Sequence, residues 1–118
     1  MEQPKWYRYT GKAGYYTSGT GSTALIVEDV VSAIVAAQEV PDITGIAILG
    51  TSLTPKHMEK ISEYDNIIIA LDPDAVYKTI EYRREIELWT GTKTIAMNVS
   101  DDIKYRRPED ITKLKGLV

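Results

Sequence analysis

Six acidic residues fall where short apolar runs end. Glu28 and Asp29 follow Thr23-Ala24-Leu25-Ile26-Val27, Asp72 and Asp74 follow Asn66-Ile67-Ile68-Ile69-Ala70-Leu71, and Asp101 and Asp102 follow Thr94-Ile95-Ala96-Met97-Asn98-Val99. If those runs are neighbouring strands, the carboxylates line one edge of a sheet and repel one another, and a divalent cation is the simplest remedy. Mg²⁺ suits such a place: it takes oxygen ligands, usually one or two carboxylates completed by waters and substrate phosphates. Asp72-Pro73-Asp74 fits that role, since proline stiffens the turn between two carboxylates. A plainer reading stays open at every one of these positions. Acids after strands also serve as helix N-caps and first-turn dipole partners, and Asp101-Asp102 sits in a loop that attracts aspartate anyway.

The elements that would position these acids follow from the pattern. Thr23–Val27 is continuously apolar, as a strand covered on both faces must be. Val30 to Gln38 carries apolar residues at 30, 31, 34, 35 and 37, an amphipathic helix that Pro41 ends. Gly45–Leu49 reads as a second strand. Thr54-Pro55 supplies an N-cap and a first-turn proline for a helix over 55–63. The third strand is 66–71, a helix runs from Ala75 to Leu88, the fourth strand is 94–99, and Pro108 starts a last helix through Lys115. This alternation predicts an α/β fold: a four-stranded, mostly parallel sheet flanked by helices in three layers. Ahead of it, residues 1–22 read as a β-hairpin extension, with aromatic and β-branched residues around Gly11 and Gly14. Residues 23–118 form the main unit.

The chain has 118 residues and a formal net charge of −3, from 14 Lys and Arg against 17 Asp and Glu. It is not a general polyanion binder, so contact with nucleic acid needs metal ions or a local basic patch. There is no cysteine, which excludes disulfides and thiolate zinc sites and fits a cytoplasmic setting. No run approaches the roughly 20 apolar residues that span a bilayer, and no membrane role is expected. A glycine-rich phosphate loop is missing too, because Gly19-Thr20-Gly21 precedes a strand instead of following one.

The constellation resembles the Toprim domain, the metal-binding module of primases, topoisomerases and related nucleases, whose pattern is a Glu after the first core strand and Asp-x-Asp after the third. Leu25-Ile26-Val27-Glu28-Asp29-Val30-Val31-Ser32-Ala33 is similar to the first motif of phage-type primases and primase-helicases. Ile68-Ile69-Ala70-Leu71-Asp72-Pro73-Asp74-Ala75 is similar to the second, with Leu49–Leu53 and Asp102–Ile111 resembling segments between and after them. The resemblance covers residues 23–115. It implies a Toprim-like, Rossmann-like fold and a Mg²⁺-dependent nucleotidyl- or phosphodiester-transfer module of DNA replication, with Mn²⁺ able to replace Mg²⁺. By the same resemblance Glu28 is the catalytic acid or base and a metal ligand, and Asp72, Asp74 and Asp102 are metal ligands. Val76-Tyr77 replaces the family's Ala-Gly, Ser32 stands where many cellular primases have a third acid, and the further catalytic subdomain of primases has no counterpart in the chain. The expectation is therefore a module working with a partner subdomain or helicase, in the host cytoplasm where such a chain is phage-encoded. Its oligomeric state is not legible.

Among basic residues, Lys78, Lys104 and Arg106 are the candidates for DNA or RNA phosphates. Arg83 and Arg84 fit a solvated helix face beside Glu81, Glu85 and Glu87. Lys5-Trp6-Tyr7-Arg8-Tyr9 could stack bases or pack a hairpin on the sheet. Tyr82 and Trp89 read as packing residues, and His57, the one histidine, as a surface residue. Two further readings stay beside the primase-like one: a non-catalytic Toprim-fold protein that binds a replication protein or nucleic acid, and a small Toprim nuclease. A response-regulator-like receiver is weaker, because its later lysine has no clear match.

Overall fold

The computed structural model describes residues 14–49 and 52–118. Five strands, β1 (Tyr15–Ser18), β2 (Thr23–Val27), β3 (Ile43–Ile48), β4 (Asn66–Ile69) and β5 (Thr94–Ala96), form one sheet in the order β1-β3-β2-β4-β5. Four helices accompany them: α1 (Val30–Glu39), α2 (Pro55–Ile61), α3 (Val76–Thr90) and α4 (Pro108–Gly116), with a 3₁₀ turn at Ile103–Tyr105. The order of elements is the expected one. The sheet is not: it has five strands and is mixed, because β1 runs antiparallel along the outer edge of β3 while the other pairings are parallel. The physical reason is the open edge of β3. Tyr15-Tyr16-Thr17 is a good strand sequence, and pairing with β3 satisfies its backbone more fully than an isolated hairpin could. The remainder of the expected hairpin, Lys5-Trp6-Tyr7-Arg8-Tyr9 included, lies outside the described residues.

The central strands are buried on both faces, and their side chains alternate between two cores. Leu25 and Val27 pack with Ala33, Val35, Ala36, Ile103 and Leu114 from α1, the 3₁₀ turn and α4. Ala24 and Ile26 pack with Met58, Ile61, Tyr82 and Ile86 from α2 and α3. Two glycines set how closely the layers approach. A Cβ on Gly45 would collide with the backbone of Ala33, so α1 lies directly on β3. Gly19, at φ +100°, carries the turn from β1 to β2 against the Ile43 carbonyl.

His57 departs from expectation. It is 2% exposed. Its Nδ1 accepts from the Thr54 N–H at 2.9 Å and its Nε2 lies 2.6 Å from the Gly14 carbonyl. Since Nδ1 is an acceptor, Nε2 carries the proton and donates. The side chain thus completes the N-terminal cap of α2 and ties that helix to the start of β1, which is what buries it. Tyr82 is a core residue as expected, whereas Trp89 is 54% exposed.

Candidate metal centre

Strand order decides where the acids meet. From β2 the chain leaves through α1 toward β3 on one side; from β4 it leaves through α3 toward β5 on the other. The divergence opens a crevice at the carboxyl ends of β2 and β4, the usual ligand position of open α/β sheets. Ile26 pairs with Ile69, so Glu28, two residues on, comes level with Leu71 and Asp72. Glu28 Oε1 accepts the Asp72 N–H at 3.3 Å, which joins the two acidic segments directly.

Asp72 is the electrostatic centre of the crevice. Partial burial raises its carboxyl pKa, a hydrogen bond with Asp102 raises it further, and the charges of Glu28, Asp102 and Asp74 add to both, bringing it to about 6. Asp72 and Asp102 are therefore crowded carboxylates, and Asp72 is the one whose proton is held to higher pH. Asp74 contributes charge but is exposed, and Pro73 is exposed beside it. The Asp72 carbonyl accepts the Ala75 N–H at 2.9 Å, closing the turn that leads into α3.

Lys78, expected to meet phosphate, is turned inward. Its Nζ lies 3.4 Å from Glu28 Oε2 and 5.5 Å from the centre of the Tyr82 ring. Lys104 stands at the opposite side of the crevice, 3.6 Å from Asp102 Oδ2. The charge of Asp29 first, then Tyr105 and Asp102, raises the pKa of its ammonium. Arg106 points elsewhere: its guanidinium bonds Glu39 at 3.1 Å and Gln38 at 2.8 Å, at the far end of α1. Arg83 pairs with Glu87 at 3.9 Å on the outer side of α3.

The remaining acids hold backbone. Asp29 is the N-cap of α1, accepting the Ser32 N–H at 2.7 Å and its hydroxyl at 2.9 Å. Asp101 accepts the Asp102 N–H at 2.9 Å and pairs with Arg107. Two positioning residues escape a reading of the sequence. The Ser32 hydroxyl also accepts the Lys104 N–H at 3.1 Å, fastening the 3₁₀ turn to α1. Asp110, 1% exposed, accepts the N–H groups of Ser100 and Asp101 and the Ser100 hydroxyl, and so fixes the loop that carries Asp102. An Asp in the first turn of a helix after Pro108 signals a dipole partner; nothing local to it signals a latch on residues ten positions back.

Among the described residues, no three Asp, Glu or His side chains already stand as an ion cage. The donor set nevertheless suits a hard cation. Two carboxylates in contact, Asp72 and Asp102, with Glu28 and Asp74 beside them, match the one or two protein carboxylates that Mg²⁺ takes along with waters. Comparison with known proteins added no relative: no family model, curated protein or solved structure matches the chain.

Proposed function

We propose that this chain is a Mg²⁺-dependent, Toprim-like module of the phage primase type, acting on phosphodiester or nucleoside triphosphate substrates and completed by a partner subdomain. The observation that carries this reading is the contact chain Glu28–Asp72–Asp102 at the crevice between β2 and β4. Asp72 and Asp102 would hold the ion, with Glu28 and Asp74 within reach of it or its waters. When bound, Mg²⁺ would supply charge neutralisation to a phosphate and orient the attacking oxygen. Glu28 is then the group placed to accept or return a proton at that oxygen. Lys104, part-exposed and paired with Asp102, would meet a phosphate oxygen as a point charge.

A titration of Mn²⁺ followed by paramagnetic line broadening tests the site without requiring activity. Broadening confined to residues around 28, 72–74 and 102 supports the reading, and loss of that broadening in Asp72→Asn with Asp102→Asn assigns it. Signals that stay sharp at millimolar Mn²⁺ refute the metal centre.

A second reading has its own observation. Lys78 already provides Glu28 with a cation at 3.4 Å, as in a fold that has replaced metal by an internal ammonium. That chain would be a non-catalytic Toprim-fold protein that binds a replication protein or nucleic acid. Primer synthesis or strand nicking that depends on Glu28 decides for the first reading.

A further inference from the structure

We propose that two copies of the chain pair through α3, antiparallel across a two-fold axis, with each Tyr77 lying over the second copy's Leu88. The inner side of α3 buries Tyr82 and Ile86. The side turned away from them reads Tyr77, Ile80, Arg84 and Leu88, positions that share one helix face. Tyr77 is 88% exposed, Leu88 81% and Ile80 52%. Large apolar side chains gathered on one open face mark an interaction site. Beside Leu88 a groove of about 380 Å³ runs between the start of α2 and the end of α3, walled by Leu53, Pro55, Met58 and Trp89. One end of the stripe therefore carries a projecting ring and the other a recess.

The spacing is self-complementary. Residues 77 and 88 are equidistant from the midpoint between 82 and 83, and so are 81 and 84. A two-fold axis at that midpoint sets Tyr77 against Leu88 and Glu81 against Arg84, each contact made twice, as an isologous interface requires. Glu81 and Arg84 form no ion pair among the described residues, so both charges are free to meet a second copy. A parallel arrangement would oppose Glu81 to Glu81 and Arg84 to Arg84, and like charges reject it. Glu81 next to Arg84 leaves the face without an excess of positive charge, which also disfavours a polyanion. α3 spans roughly 22 Å, so the interface lies at the small end of specific contacts and the association should be reversible.

Sedimentation equilibrium on the full chain, from about 1 to 300 µM, reads the association directly. A reversible dimer is expected. Glu81→Arg and Arg84→Glu should each weaken it at least about tenfold, and the two together should restore it to within about threefold. Tyr77→Ala should weaken it about tenfold, while its thermal melting in dilute solution stays that of the parent, because the ring is exposed. A monomer across the whole range, a dimer indifferent to these changes, or a double reversal that fails to restore association overturns the proposal.

Discussion

Replacing Asp72 by asparagine perturbs the crevice where its electrostatics are sharpest. In the fold the Asp72 carboxyl titrates at about 6 against an ordinary 3.8, a difference of about 2 pK units, or about 3 kcal/mol before screening. Contact of the half-buried side chain with water reduces this to roughly 1–2 kcal/mol. The sign follows from proton binding: between pH 3.8 and about 6 the folded chain holds a proton that the unfolded chain has lost, so stability falls as pH rises and is level above that window. At neutral pH the metal-free protein therefore carries an unrelieved charge. Asparagine has the same shape, no charge, and an N–H that can donate to the Asp102 carboxylate. Asp72→Asn should stabilise the metal-free protein by roughly 1–2 kcal/mol at about pH 7.5 and raise the melting temperature by about 3–8 °C. The gain should vanish as the pH falls to about 3, below the ordinary carboxyl value, where Asp72 is mostly protonated in both states. Millimolar Mg²⁺ should stabilise the parent and leave the variant unchanged. Urea and thermal unfolding followed by circular dichroism measure these outcomes. Equal or lower stability of the variant at neutral pH, or a gain that persists undiminished in acid, would refute the picture of crowded carboxylates.

Lys78→Met removes the ammonium that competes for Glu28; Mn²⁺ affinity measured by electron paramagnetic resonance should rise about fivefold, since a unit charge at this distance and exposure is worth about 1 kcal/mol. His57→Ala leaves the Thr54 N–H and Gly14 carbonyl without their partner and opens a cavity, at a cost of about 2–4 kcal/mol, and amide exchange along Tyr15–Ser18 should accelerate with it. Asp110→Ala strips the acceptor from the N–H groups of Ser100 and Asp101. It should cost about 2–4 kcal/mol and weaken Mn²⁺ binding several-fold through the released Asp102 loop, read by calorimetry and by line broadening.

Much of the frame is legible in the chain because its signals are local. Thr54-Pro55 predicts the start of α2, and Thr54 does cap it. The spacing from Val30 predicts α1, and Asp29 is its N-cap, the plainer of the two roles weighed for that residue. Tyr82 packs where its helical position suggests. Side chains placed by contacts distant in the chain were not legible, and they share a cause. His57 is a surface residue by its own helix, and Gly14 and Tyr15, docked from more than forty positions away, cover it. Lys78 opens α3 near a presumed phosphate site, yet its nearest carboxylate is Glu28, fifty positions earlier. Arg106, grouped with Lys104 by proximity, adopts φ +52° and turns its side chain to Glu39.

By itself the sequence determined the alternation of strands and helices and the placing of acids after β2, β4 and β5, because periodicity, capping and turn chemistry act over a few residues. Which of those acids touch was decided by tertiary structure. The order β3-β2-β4-β5 brings Glu28 beside Asp72, and the Asp110 latch fixes the loop from which Asp102 meets Asp72. Charge repulsion and hydrogen bonding reach only a few ångströms at full strength, so they depend on distances that strand order sets and spacing along the chain does not.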